Sequence, residues 1–338
     1  MELALYHPEL GYYESPTNSP GRRGDFYTSV STGDLFGQLL ACQFARWLED
    51  FSTVHGKYWI IEAGAHDGRL AGDILNWLQS RRPGLFARLE YAILEPSPRR
   101  QKWQRETLNS FGPIVRWIND FKQLSVVTGH ASVQGVIFSN ELLDAMPVHR
   151  FGWDAGAKKW FEWGVALDGN NFVWARLDNS KFKIQNSKLE AVLPDGYIIE
   201  TSPAAGNWWR QAAGVLQHGK LLTLDYGHTG DELFAPARTR GTLRAYARHH
   251  VSDDLLANPG EQDLTAHVNF STIQKTGEAA GLKTEFFGRQ EKFLTQILSA
   301  AAKANVFDPW DVKQTRQFQT LTHPEHLGRS FRVLVQAR

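Results

Sequence analysis

The sequence predicts an open α/β sheet, parallel at its centre, with helices on both faces and an antiparallel β insertion in the second half. Short apolar runs alternate with stretches of helical spacing from Tyr58 to Phe138, the order of a parallel sheet. Asp168-Gly169-Asn170-Asn171 then stands between two strand-like runs, a hairpin signature that breaks this order. Strand and helix patterns resume from Leu221 to Val335. With 338 residues, 42% of them apolar and 22% charged, the chain can build one large globular domain or two modest ones.

Residues 11–33, rich in Gly, Ser, Thr, Tyr and Pro, read as an irregular segment. Leu35, Phe36, Leu39, Leu40, Phe44, Trp47 and Leu48 recur at helical spacing and predict a helix from Asp34 to Phe51, with Ser31 or Thr32 as its cap. Strands are expected at Tyr58–Ile61, Tyr91–Leu94, Ile114–Ile118 and Val136–Phe138, with helices at Leu70–Leu78 and Arg99–Leu108 between them. Residues 151–200 read as the antiparallel insertion, its hairpin formed by Lys159–Leu167 and Phe172–Leu177. Beyond it come a strand at Leu221–Leu224, a helix at Phe270–Ala280 ended by Gly281, and a strand at Lys283–Phe287. A helix at Phe293–Lys303 and a strand at Phe331–Val335 complete a final hairpin around a helix.

Composition excludes several classes. Lys+Arg 37 against Asp+Glu 36 leaves a net charge of +1, so no global cationic field holds nucleic acid or an anionic membrane. The single cysteine, Cys42, rules out an intramolecular disulfide and a Cys-based zinc cluster, and its place in the first long helix predicts a buried structural thiol. No apolar run approaches the roughly 20 residues of a membrane span, and nothing sets metal-ligand spacing. Met1 to Tyr13 carries acidic residues and no basic apolar run, so neither secretion nor organelle import is expected, and a cytoplasmic location is.

The chemistry concentrates where the predicted parallel strands end. Ile60-Ile61-Glu62-Ala63-Gly64-Ala65-His66-Asp67-Gly68 follows a strand and opens a helix, at the sheet edge where α/β proteins collect ligands. Three alternatives stand: a dinucleotide, a nucleoside without phosphates, or packing glycines with no ligand. A dinucleotide loop needs a second glycine for close approach of the pyrophosphate, and His66 occupies that position. A ligand lacking phosphates, such as S-adenosylmethionine, tolerates it, with Gly64 and Gly68 shaping the turn and Glu62 orienting an ammonium group. Glu95, at the end of the second strand, is placed to accept from two ribose hydroxyls; the alternative is a solvated acidic turn before Pro96. After the third strand, Asp120 could accept from an adenine amino group while Phe121 packs on the ring. After the fourth, Ser139 to Pro147 delivers Asn140, Glu141 and Asp144 to the same crevice, though Asp144 could equally cap a helix.

These motifs resemble the MidA-like family of S-adenosylmethionine-dependent methyltransferases over essentially the whole chain. The matching segments begin with Pro8-Glu9-Leu10-Gly11-Tyr12-Tyr13 and Gly24-Asp25-Phe26-Tyr27-Thr28-Ser29, then Leu35-Phe36-Gly37. Glu62-Ala63-Gly64, Leu94-Glu95-Pro96-Ser97-Pro98 and the distinctive Asn140 to Val148 segment follow. Late in the chain come Leu224-Asp225-Tyr226-Gly227, Thr242-Leu243-Arg244-Ala245-Tyr246 and Pro259 to Val268. The resemblance implies a class I methyltransferase core, S-adenosylmethionine as cofactor with S-adenosylhomocysteine as product, Phe26 and Thr28 among the cofactor contacts, and a protein acceptor, arginine in the mitochondrial branch. It divides the chain into residues 1–55 covering the cofactor crevice, 56–150 as cofactor-binding core, 151–200 as insertion and 201–338 as the rest of the core. Departures fall at Ala65 and His66, where Pro and Gly are usual, at Arg69, usually small, and near Gln290, kept from a Thr-Gln pair. The family's first helix is mostly missing ahead of Met1, which implies a longer natural chain or a short subgroup.

An arginine acceptor is cationic and must present a nitrogen lone pair, so carboxylates that hold the guanidinium and localise its charge suit the reaction. Glu141 and Asp144 are the first candidates, with Asn140 orienting acceptor or cofactor. Glu162, Glu200 and Asp225 are weaker candidates, and His249, His250 and His267 are candidate bases for which structural roles are the safer expectation. Three readings follow: a protein methyltransferase, a small-molecule methyltransferase favoured by the 12 Trp and 20 Phe, or a cofactor-binding assembly factor without turnover.

Overall fold

Apolar alternation along the strands and helical spacing between them sort the chain into a central sheet and its covers. The computed structural model describes residues 1–15, 28–51, 56–177, 193–247, 250–252 and 254–338, so Phe26 and His249 lie outside the described residues. The chain divides into two compact units. A core unit contains Pro20–Leu143, Trp208–Tyr226 and Gln274–Arg338, and an insertion unit contains Met1–Ser19, Asp144–Asn207 and Gly227–Ile273.

In the core unit, β1 (Tyr58–Ala63), β2 (Leu89–Leu94), β3 (Val115–Ile118) and β4 (Val133–Asn140) pair in parallel, β1 lying between β2 and β4. The insertion unit carries β5 (His149–Asp154), β6 (Lys159–Asp168), β7 (Asn171–Leu177) and β8 (Ile198–Thr201), an antiparallel sheet in the order β7-β6-β5-β8. The expected hairpin is β6–β7, turning at Gly169 and Asn170, with Gly169 at φ +59°. Strand β9 (Leu216–His228) returns parallel to β4. A second antiparallel sheet of the insertion unit contains β10 (Arg244–Ala247), β11 (His250–Ser252) and β12 (Asp263–Thr265), and β13 (Val268–Asn269) pairs with the last residues of β9. Strands β14 (Lys283–Arg289) and β15 (Phe331–Ala337) close the core as the expected hairpin, giving the order β14-β15-β9-β4-β1-β2-β3.

Strand alternation assigns the two faces. Tyr58, Ile60, Tyr91, Ile93, Val136, Phe138, Leu222 and Leu224 join one cluster with helices Leu35–Glu49, Arg69–Arg81 and Gln290–Lys303. On the opposite face Trp209, in helix Pro203–Val215, donates its indole N–H to Gln336 of β15 at 2.8 Å. Cys42 is buried and burial pushes its thiol up to about 11, the inert structural cysteine expected.

Two expectations fail here. Neither Ser31 nor Thr32 caps helix Leu35–Glu49: Ser31 Oγ donates to Thr28 O and Thr32 Oγ1 to Ser29 O, so both hydroxyls stay within their own turn. Leu35 N–H is instead satisfied by Gln317 Oε1 at 3.0 Å, a partner 282 residues away. Helix Pro203–Val215 was not expected either, because Gly206, Gly214 and the Trp208-Trp209 pair blur its apolar stripe.

Candidate active site

The chain runs outward through β1, β2 and β3 and returns to β4 on the other side of β1. This reversal makes the carboxyl ends of β1 and β4 a topological switch point, the usual ligand crevice of such sheets. Ala63 of β1 lies opposite Ser139 of β4, so the Gly-rich loop and Asn140 leave the sheet side by side.

Glu62, next to last in β1, is almost fully buried and accepts a 2.5 Å hydrogen bond from the Tyr91 hydroxyl. Burial pushes this carboxyl up to about 8, against the Tyr91 hydrogen bond and with a smaller push from Asp67 and Asp73. Gly64 follows at φ +74°, and a Cβ there would lie 2.9 Å from Leu142 Cδ1, so the glycine lets the β4 loop approach. His66 is left-handed too, at φ +47°, where an L-residue is strained by about 1–2 kcal/mol. Arg69 gains a role: its Nε meets Asp67 Oδ2 at 2.6 Å. Burial would raise the Asp67 carboxyl, but His66 and Arg69 outweigh it and hold it at about 2.

Glu95, 1% exposed, is no solvated turn. Its Oε1 accepts from Ser97 N and Arg100 Nη2, both at 3.0 Å, and its Oε2 from Gln104 Nε2 at 3.1 Å. Gln104 also donates to the His66 carbonyl at 3.0 Å and accepts from Trp117 Nε1 at 3.0 Å. Asp120 caps the turn Phe121–Gln123, with Oδ1 accepting from Lys122 N and Gln123 N at 2.8 and 3.1 Å. Phe121 packs on Trp208, ring centroids 5.9 Å apart. Thr28 and Ser31 close a reciprocal turn, Thr28 N donating to Ser31 Oγ and Ser31 N to Thr28 Oγ1.

At the end of β4, Asn140 Nδ2 donates to Glu141 Oε1 at 3.1 Å, while Asn140 Oδ1 is buried with no hydrogen-bond donor among the described residues. Glu141 is left-handed, φ +52°, and the next residues explain how it stays so. Leu142 N and Leu143 N both donate to Asp225 Oδ2, at 3.1 and 2.8 Å, and this accepting carboxylate is fully buried. Asp225 therefore anchors this loop and is itself out of reach of solvent. Ser29 N adds a 3.2 Å bond to Glu141 Oε1, and the Ser29 hydroxyl donates to Gln290 Oε1 at 3.3 Å.

Asp144 belongs to the insertion unit and is 5% exposed. Burial raises the hydroxyls of Tyr13 and Tyr246, and the charges of Asp144 and Asp263 act in the same direction on both. Glu162 pairs with His149 Nδ1 at 2.5 Å, and Glu200 accepts from Thr242 N at 2.7 Å beside Arg150. His267 is kept neutral, lowered to about 3 by burial and then by His228, Arg238 and Arg244. His250 is exposed. Sequence reading missed Gln104, Ser29 and Tyr91; Tyr91 alone carried a signal, since a buried tyrosine hydroxyl near a strand-end carboxylate needs a partner.

The family model described as "Putative S-adenosyl-L-methionine-dependent methyltransferase" matches residues 39–288. The chain belongs to that family. It is an S-adenosylmethionine-dependent methyltransferase, and the topological switch point of its sheet is where such folds bind ligands. A Burkholderia thailandensis crystal structure bound to S-adenosyl-homocysteine is 32% identical, covers 100% of this chain and 86% of that one, and superposes with a TM-score of 0.84. The protein arginine methyltransferase NDUFAF7 of Homo sapiens is 25% identical over 98% of this chain and 77% of its own length. Its Drosophila melanogaster homolog is 25% identical over 99% and 79%. Both relatives are named as mitochondrial proteins, and this contradicts the cytoplasmic location expected from the sequence. Composition reports an aqueous surrounding, and aqueous compartments are alike in that respect; an import segment is a removable address outside the fold. Among the described residues no helix is long and apolar enough to cross a membrane, and no three His, Cys, Asp or Glu side chains are grouped to hold a metal.

Proposed function

We propose that this methyltransferase acts on a protein, transferring the methyl group to an arginine guanidinium. One observation carries the reading. At the switch point, next to the Gly-rich loop, Asn140 presents a buried acceptor oxygen without a donor among the described residues, and its amide N–H donates to the Glu141 carboxylate. A buried acceptor left unpaired costs stability unless a ligand supplies the N–H. A guanidinium supplies several in a planar fork, together with the positive charge that Glu141 complements. The names of the arginine methyltransferase relatives support the same acceptor.

In this reading Gly64, Gly68, Glu62, Glu95, Asp120, Phe121 and Thr28 hold S-adenosylmethionine, which supplies an electrophilic methyl on a sulfonium centre. Glu95 takes the ribose hydroxyls and Glu62 the ammonium group. Asn140 accepts from one guanidinium N–H and Glu141 draws the charge toward itself, leaving the far nitrogen's lone pair to face the methyl carbon. The C–S bond breaks as the N–C bond forms, and the guanidinium loses a proton to solvent. The enzyme's contribution is chiefly alignment.

Incubation with methyl-labelled S-adenosylmethionine and size-fractionated cell lysate tests this. Label is expected in protein and, after acid hydrolysis, in methylarginine. Label confined to the small-molecule fraction, or on another side chain, rejects the arginine reading.

A further inference from the structure

Gln104 is the one buried residue of helix Pro98–Thr107, whose other side chains, polar apart from Pro98 and Trp103, all reach solvent at least in part. A buried amide is costly unless each of its groups is paired. Here both N–H groups and the carbonyl oxygen are used, on the His66 carbonyl, Glu95 Oε2 and Trp117 Nε1. Packing alone would be served as well by leucine or methionine, which bring no such requirement. The partners are also notable for where they lie: one is in the loop after β1, one at the end of β2 and one in β3.

The loop itself gives the bond to His66 its meaning. Gly64, His66 and Gly68 have φ of +74°, +47° and +85°, and only the middle one has a side chain. An L-residue reaches that region against a steric penalty, so the loop needs a tether that glycine would not. Because the peptide group is planar, tying back the His66 carbonyl also fixes the plane that bears the Asp67 N–H. The same amide holds one oxygen of Glu95 while Arg100 holds the other.

We propose that Gln104 is a positioning residue for the cofactor: it locks the left-handed His66 and orients Glu95 in a single bond pair, offsetting the absence of glycine at position 66. This rests on the reading of Glu95 as the ribose ligand. Gln104 touches neither cofactor nor acceptor in this proposal and acts only through His66 and Glu95.

Calorimetric titration with S-adenosylhomocysteine reads the effect without any acceptor, so failure of the arginine reading leaves it intact. Gln104→Leu is expected to weaken binding at least about tenfold, the scale of one buried hydrogen bond to a charged acceptor. Turnover at saturating cofactor should stay within about twofold, the KM-against-kcat split that a merely structural role would not give. In a His66→Gly background the loss from Gln104→Leu should shrink severalfold, because glycine needs no tether. Gln104→Glu is the second variant should Gln104→Leu fail to fold; it keeps the shape, removes both donors and sets a second carboxylate against Glu95, and should weaken binding more.

Unchanged affinity in either folded Gln104 variant overturns the proposal, as does an equal loss with and without His66→Gly. Glu95→Gln, measured alongside, separates the underlying reading. No effect there removes the ribose role and the proposal with it. Loss with Glu95→Gln but none with Gln104→Leu leaves the ribose role standing and removes the positioning role alone.

Discussion

After β2, Glu95 has protein donors on both oxygens; at the end of β4, Asn140 Oδ1 has none among the described residues. Both groups sit at the carboxyl edge of the same parallel sheet, and both are buried. Under the proposed function the difference follows from what each loop receives. A cofactor is the same molecule in every cycle, so its ligands can be fixed in advance by Arg100, Ser97 and Gln104. In the proposed reading an acceptor side chain enters from another protein, and the group that would meet it has no donor of its own among the described residues. Both sides carry a left-handed residue, His66 at φ +47° and Glu141 at φ +52°, and Glu141 is held by Asp225 and Ser29, a polar support that aims the loop instead of filling a core.

The comparison breaks most visibly in turnover. Glu141→Gln and Asn140→Ala should each lower methyl transfer on the order of 100-fold, the cost of misplacing a reacting atom by about 1 Å. Affinity for S-adenosylhomocysteine should stay within about twofold, because neither group belongs to the cofactor loops in this reading. If either variant loses cofactor affinity in proportion to rate, the two loops do not divide the work and the acceptor role of Asn140 and Glu141 is wrong.

The next effect belongs to the other loop. Glu95→Gln should weaken cofactor binding by about 1.5–3 kcal/mol, the range for a charge-assisted hydrogen bond. It should also lower the thermal midpoint, since Arg100, 11% exposed, loses its counter-ion. A folded variant with wild-type affinity and only a lowered midpoint would show that Glu95 serves Arg100 and the turn before Pro96, with no ligand role.

What could be read from the sequence follows this division too. The strands of the core and the β6–β7 hairpin appear as local patterns, because alternation and turn residues are written within ten residues of each other. The positions of Glu62, Glu95 and Asn140 followed from the same strand ends. The supports of the loop after β4 did not, because they are long-range pairings: Asp225 reaches Leu142 across 83 residues and Ser29 meets Glu141 across 112. Gln104 is further hidden by its helix, where one more polar residue among Arg, Lys and Glu gives no sign of burial. Asp225 was legible as a strand-end carboxylate, but its role as anchor depended on a backbone conformation at Glu141 that residue types alone do not reveal.

The smallest effect sharpens the comparison within the cofactor side, between Glu95, fixed by a cation, and Glu62, fixed by a tyrosine hydroxyl. Burial raises Glu62 to about 8. Between its ordinary value near 4.5 and that figure, the folded protein holds a proton that the unfolded chain has released. Stability contributed by this group is therefore fully present below about pH 4.5 and is lost as pH rises through about 8, with a slope of at most about 1.4 kcal/mol per pH unit. Glu62→Gln should remove that slope while leaving the one from Asp73, which burial and then Asp34 raise to about 6. If Glu62 receives the cofactor's ammonium group, binding favours its ionised form. S-adenosylhomocysteine should then bind more tightly as pH rises toward 8, and at pH 7 binding should release a proton. Calorimetry at pH 7 in two buffers of different ionisation enthalpy measures that proton directly, and Glu62→Gln should abolish it. Binding that releases no proton in the wild-type protein would mean that Glu62 stays protonated against Tyr91, a structural pair that supports the end of β1 and leaves the ammonium group to other acceptors.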